Sequence, residues 1–326
     1  MVQNMNDSQP KIFEWAYFLN KEQRKKEYEK LCEAYNIKKR DWTIKEDFDV
    51  LENYIFKQYE LCNSVSRIFY FKKGKNQLQS ANEKNEVGFI TPTSNAEFAL
   101  YNLNITTPHN GKLFCIFKKN TNEKQPWAFK QFISSNDNSE WQRILISLKN
   151  EIPTLDKIGC KDFDLSQIDM TKPGISMDHI ATRYERFLPS EVIAVFNSAS
   201  SNTEFNSASS NTEVDIEKSI SNIVEEMINY NITQLNKNKS ECVRSWAITD
   251  FVNLTDEIDY NYIPINILYP FRFSEKVCGV MVFRITNVNN QPSLVTMLDL
   301  EQAYKGAKLY DSTFTSSWLN IENIVG

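Results

Sequence analysis

The stretch that decides the fold runs from Ile263 to Leu319. IPINILYPFRF (263–273), VCGVMVFRITNV (277–288) and SLVTMLDL (293–300) lead into EQAYKGAKLY (301–310) and then SSWL (316–319). Three apolar runs rich in β-branched residues, separated by the polar SEK and NNQP, read as consecutive strands. The last passes into an amphipathic helical pattern with no Gly or Pro at the junction, so a sheet closed by a helix is expected here. Working back along the chain, Asp215–Asn236 carries Ile216, Ile220, Ile223, Val224, Met227, Ile228 and Leu235 at helical spacing. It reads as a long helix laid on that sheet.

Between this region and the start of the chain the period of the pattern changes twice. FEWAYF (13–18) is an aromatic cluster ahead of a charged helix over Asn20–Tyr35, suited either to anchor in the core or to form an exposed partner patch. A second helix over Lys45–Leu61 presents Phe48, Leu51, Tyr54, Ile55 and Tyr59 on one face. From Arg67 the runs RIFYFKK, VGFITP, EFALYNLNI, KLFCIFKK and WAFKQF, bounded by Gly, Pro and Asn, read as an antiparallel meander of about five strands, barrel-like or sheet-like. EWQRILISLK (140–149) reads as a closing helix, and the Asp-rich connector after it is the expected boundary.

The fold class predicted is α+β. Residues 13–150 hold a helical hairpin and a basic, aromatic meander; residues 151–326 hold an antiparallel or mixed sheet covered by helices near 215–236 and 300–308. The two parts can also share one continuous core. FNSASSNTE stands at 196–204 and again, unchanged, at 205–213, a duplicated polar loop that no packed element could absorb in register.

Charge is unevenly divided. The formal net charge is −5, yet residues 65–132 contain ten Lys and Arg against four Glu and no Asp, a local +6 that leaves −11 elsewhere. Lys72, Lys73, Lys112, Lys118, Lys119 and Lys130 beside Trp127 and the Phe-rich runs are what single-stranded nucleic acid asks for: cations for phosphates and flat faces for bases. The alternative for the same residues is an aromatic interior with lysines solubilising its rim. Another candidate cluster lies in ISMDHIATRYERFLP (175–189), where His179, Arg183 and Arg186 share a helical face and suit a phosphate, unless His179 simply packs in the core.

Cofactor-binding signatures are absent from the sequence. There is no GxGxxG after a strand, no GxxxxGK[ST], no HExxH and no GxSxG, and there are eight glycines in all. Six cysteines stand singly, without CxxC pairs, and read as ordinary thiols of a reducing compartment. With two histidines, neither a metal nor a cofactor is expected. No run of about 18 apolar residues occurs and the N-terminal stretch does not read as a signal peptide, so a cytoplasmic protein without membrane association is expected.

ISMDHIATRYERFLP and the stretch from Ile263 to Leu319 resemble domain-of-unknown-function family 3825 (DUF3825), an uncharacterised and mainly bacterial family. FEWAYF, DFDVLENYIFKQY and QPWAFKQF extend the resemblance over nearly the whole chain. Its most specific parts are Asp178-His179 with Arg186 and Pro189, and Leu298-Asp299-Leu300 with Ala303, Tyr304, Ala307, Leu309 and Trp318. The chain departs from the family pattern at Lys308, where an Arg is usual, and near Lys239, where a following Pro is missing. The resemblance implies no reaction. It does imply an association with RNA-related modules.

Three functions follow. The preferred one is binding or processing of RNA or single-stranded DNA. A second is an enzyme acting on a nucleotide or small phosphorylated ligand, with His179, Asp178 and Asp299 as acid–base candidates and Arg183, Arg186, Lys239, Arg244, Lys308 and Tyr304 holding the anion. The third is a structural or adaptor protein with a protein partner or a second copy of itself.

Overall fold

The computed structural model describes residues 10–64, 67–73, 78–84, 90–137, 145, 168–170, 173–175, 177, 180, 185, 187–194, 198, 211–246, 265–285 and 292–325. The chain divides into two compact units, Met1–Gly159 with Ile248–Ile263 and Cys160–Ala247 with Pro264–Gly326. The architecture is α+β, with neither of the two larger sheets closed into a barrel. Of the expected elements, the helix over 140–149 (apart from Leu145), most of the 175–189 segment and most of the duplicated loop lie outside the described residues.

The first unit opens with a short helix α1 (Ile12–Trp15) and a two-residue strand β1 (Ala16–Tyr17). Helix α2 (Lys21–Ala34) starts at a capping box, in which the Gln23 amide donates to Asn20 Oδ1 at 2.9 Å and the Asn20 amide donates to Gln23 Oε1 at 3.2 Å. Helix α3 (Asp49–Ser64) follows, then β2 (Phe69–Lys73), β3 (Leu78–Ser80), β4 (Asn82–Lys84), β5 (Ile90–Pro92), β6 (Phe98–Thr106), β7 (Lys112–Lys119) and β8 (Trp127–Ser134). The main sheet has the order β1-β8-β7-β6-β2-β3, antiparallel except for the β1–β8 pair, while β4 and β5 form a separate two-stranded ribbon.

Both faces of this sheet are buried, for a reason written in β7. LFCIF has no polar alternation, so each face needs its own apolar cover. One face, with Tyr101, Cys115, Phe117 and Trp127, meets the helices. Tyr54 of α3 donates its hydroxyl to Leu103 O at 2.5 Å, Tyr101 donates back to Ile55 O at 3.3 Å, and Trp15 packs edge-on to Phe117. The other face gathers Phe69, Phe71, Leu100, Phe114, Ile116 and Ile133 around Leu145. The FEWAYF cluster is an anchor: Phe13 and Phe18 pack on Phe56 of α3, and Tyr17 is its exposed aromatic.

In the second unit β9 (Gly174–Ile175) precedes helix α4 (Asn211–Lys237), which runs into a 3₁₀ turn (Lys239–Glu241) and β10 (Val243–Trp246). Then come β11 (Ile265–Phe273), β12 (Lys276–Ile285), β13 (Pro292–Leu298), α5 (Leu300–Tyr310) and α6 (Ile321–Val325). The sheet order is β10-β11-β12-β13-β9, with β9 added parallel to β13, so the sheet is mixed. Val224, Ile228, Ile232 and Leu235 of α4 pack on Ile267, Tyr269, Phe271, Met281 and Phe283, which share one face by alternation. Leu268, Val280 and Val282 are buried on the opposite face, and α5 packs against β10 and β12.

One polar side chain locks α4 in place. β10 pairs with Ile265–Leu268, and among the described residues no strand pairs with the distal half of β11 on that side. There Asn231, 2% exposed, takes the place of a neighbour: its Oδ1 accepts from the Arg272 amide at 2.8 Å and its Nδ2 donates to Arg272 O at 3.0 Å.

Candidate functional site

The register of the first sheet sorts the predicted lysines. Phe98 of β6 faces Phe71 of β2 on one side and Lys118 of β7 on the other, so the C-terminal ends of β2 and β7 lie at the same end of the sheet. The strand positions of Lys72, Lys73, Lys118 and Lys119 thereby fall at one end of the sheet. Lys118 and Lys119 are exposed, Lys72 is half-buried, and exposed Lys124 stands in the loop that follows β7. Lys119 donates to Ser94 O at 2.9 Å, which holds its ammonium at this end. Strands β2 and β7 are two strand spacings apart, about 10 Å, comparable to the Debye length of about 8 Å at physiological salt. The positive charges of Lys72, Lys118 and Lys119 are thus close enough for their fields to overlap, opposed locally by exposed Glu97 and Glu123. Lys112 lies at the opposite end of β7, beside Ser135, whose hydroxyl accepts from the Lys112 amide at 2.9 Å. Lys130 is exposed at an irregularity in the β7–β8 register.

The aromatic half of the expectation is corrected. Trp127 is 3% exposed, enclosed by Trp15 and Tyr70 with ring centroids at 5.9 and 5.6 Å, and has no face to offer a base. Phe69, Phe71, Phe114 and Phe117 are core, and Phe129 is half-buried against Phe18 and Phe132. A sheet covered on both sides spends its aromatics on its own interior.

In the second unit Asp178, His179, Arg183 and Arg186 lie outside the described residues. Asp299 is the N-cap of α5: its Oδ1 accepts from the Gln302 amide at 2.7 Å. That is a helix-start role. Lys239 donates to Ile168 O at 2.8 Å and ties the segment before β9 to the end of α4. Lys308 is 2% exposed and donates to Ser312 O at 3.2 Å and Phe314 O at 3.0 Å, with its ammonium 5.7 Å from the ring centre of Tyr304. A buried ammonium needs such partners, and here they shape the loop after α5. Lys308 and buried Tyr304 are therefore supports rather than ligand contacts.

That loop forms one wall of an open cleft of about 510 Å³; the other wall is the 3₁₀ turn and the start of β10. Arg244, half-buried, is the predicted anion-binding residue that lines it. Trp318 is buried in the cleft lining and donates its indole N–H to Glu241 O at 2.9 Å. Arg272 holds the Glu241 carboxylate by two bonds of 2.7 and 2.9 Å, which neutralises it. Burial pushes the Cys242 thiol up to about 12, so at neutral pH it is not a nucleophile. Tyr310, Asp311, Phe314 and Ser316 were not singled out from the sequence. The available signal was the run DSTFTSSW directly after an amphipathic helix.

These two features, a basic sheet end and a polar cleft, belong to an α+β protein whose described residues include no helix long and apolar enough to cross a membrane. Residues 33–318 match the family described as Domain of unknown function (DUF3825), and the chain belongs to that family. Comparison with curated proteins and with solved structures finds no match.

Proposed function

We propose that this protein is a cytoplasmic binder of RNA or single-stranded DNA that grips phosphates with the lysine end of its first sheet. The observation that carries this reading is the convergence of Lys72, Lys73, Lys118 and Lys119 on one sheet end of a chain with net charge −5. Overall charge would repel a polyanion, so attraction has to be local, and a concentrated patch steers it. With the aromatics buried, stacking adds little. Binding is led by phosphate contacts and largely indifferent to sequence, with a Kd on the order of 10⁻⁴–10⁻⁶ M at physiological salt.

The test is a titration of labelled single-stranded RNA and DNA oligonucleotides at two salt concentrations. Four lysine contacts at about 0.7 each give a slope near 2.8, or roughly 50-fold weaker binding between about 50 and about 200 mM salt. The double variant Lys118→Glu, Lys119→Glu removes two contacts and brings that factor down to about 7. Binding that does not respond to salt, or a charge reversal without effect, overturns the reading.

A further inference from the structure

We infer that the exposed flank of α4 beside the end of β11 is a docking site for another protein, and that it receives an arginine side chain from an otherwise apolar segment. The inference does not depend on the basic sheet end of the first unit. Five large apolar side chains are exposed among the described residues, and three of them, Ile223, Tyr230 and Phe273, belong to this flank. Scattered singly they would need no explanation; grouped, they mark a contact surface.

Their grouping follows from the way α4 is locked. Asn231 binds the Arg272 N–H and C=O, which brings the helix residue before it and the strand residue after its partner to one place. Tyr230 and Phe273 there line a shallow cleft of about 240 Å³, together with half-buried Met227 and exposed Glu226. Tyr230 is 60% and Phe273 40% exposed, so both rings keep surface open to a ligand. The Phe273 backbone is fixed, because the residue pairs with Lys276 across the two-residue turn Ser274–Glu275. Glu226 stands one helical turn before Tyr230, the spacing at which side chains on a helix are neighbours, and among the described residues its carboxylate has no ion-pair partner.

Size and charge select the occupant. At about 240 Å³ the cleft falls below the roughly 300 Å³ at which small-molecule sites begin, so it suits one side-chain head rather than a free metabolite. Open aromatic faces attract a cation, and a carboxylate beside them adds to the attraction. Exposed Glu225 and Glu275 join Glu226, against exposed Lys276, while Arg272 is already held by Glu241 at 2.7 and 2.9 Å. Arginine fits better than lysine: its guanidinium is flat, stacks on a ring and meets a carboxylate through two parallel bonds, whereas an ammonium is a compact, strongly hydrated charge. Ile223 stands seven residues before Tyr230, about 10 Å along the helix, and extends the apolar strip. A segment with Leu three residues from its Arg spans about 9 Å in the polyproline II conformation and presents both on one side.

Fluorescence anisotropy of a labelled peptide, Leu-Pro-Ser-Arg flanked by Gly and Ser, titrated with the full chain tests this. Twins of the peptide carry Lys or citrulline in place of Arg, or Gly in place of Leu. The Arg peptide is expected to saturate below millimolar protein and to bind about ten-fold tighter than the citrulline twin, with the Lys and Gly twins in between. Tyr230→Ala and Glu226→Gln are each expected to weaken it by about five-fold. Both positions are exposed, so these variants keep the fold, which an unchanged circular dichroism spectrum verifies. Lys118→Glu, Lys119→Glu leaves peptide binding within two-fold, which separates this site from the basic sheet end. No saturation at millimolar protein, citrulline binding as tightly as Arg, or an unchanged affinity in Tyr230→Ala overturns the inference. So does equal binding of the Arg and Lys peptides that only Glu226→Gln weakens, since that is charge attraction without the rings.

Discussion

Replacing Asn231 by Leu should destabilise the second unit by about 2–6 kcal/mol while leaving α4 docked. The side chain is 2% exposed and its amide satisfies the Arg272 N–H and C=O at 2.8 and 3.0 Å, with a further bond of 2.9 Å to Met227 O. Leu matches its size but leaves two part-buried backbone groups without this partner, each worth about 1–3 kcal/mol. Against that loss stand Val224, Ile228, Ile232 and Leu235, whose burial at about 1.5–3 kcal/mol each holds the helix on the sheet. Asn231→Asp separates the two halves of the amide. Ionised, it still accepts from the Arg272 amide but turns a negative oxygen towards the Arg272 and Met227 carbonyls; protonated, it regains a donor. Its folded pKa is thus raised, and its stability is fullest below the unfolded carboxylate pKa of about 4 and falls as pH rises above it. Because the chain has two units, a single two-state midpoint would mislead, so the assay is hydrogen exchange by mass spectrometry in urea on peptides of α4 and β11. A Leu variant within about 0.5 kcal/mol of the parent refutes the reasoning, as does an Asp variant equally costly at about pH 4 and about pH 8.

The first unit is expected to unfold in alkali. Burial raises the phenols of Tyr28, Tyr59 and Tyr101 and pushes Tyr70 up to about 12, so the stability they contribute is intact below the unfolded phenol pKa of about 10 and is lost above it. Phenolate absorbance should rise together with loss of the near-ultraviolet dichroism; ordinary ionisation near pH 10 with native dichroism would contradict this. Gly279→Ala should cost the second unit about 1–3 kcal/mol, because a Cβ there would stand 2.6 Å from Phe187 Cβ in a core that cannot yield. Urea-dependent exchange in β12 reads it, and an unchanged value would mean that Phe187 moves aside freely.

Much of the local structure was legible in the residues alone. Of the expected stripe, Leu51, Tyr54, Ile55 and Tyr59 are buried on α3 and Phe48 is buried just before it, and the three C-terminal runs are β11, β12 and β13 with α5 directly after them. Such patterns are set by one turn or one pleat of backbone, so the side chains that must face the core repeat at 3.6 or 2.0 residues and announce the element. What tertiary structure decided lies in contacts whose partners no local period connects. LFCIF could only say that both faces of β7 were covered; that Trp15 would help enclose Trp127 needed the chain to fold back across the sheet. Pairing of β2 and β7 on either side of β6 chose which lysines share an end. Asn231 meets Arg272 and Glu241 meets Arg272 because β10 ends its pairing with β11 at Leu268, and Lys308 becomes a support because the loop after α5 closes over it. A lysine or an asparagine has the same composition wherever it falls. Whether its polar atoms face water, a ligand or an orphaned backbone group is settled only when distant strands have been brought into register.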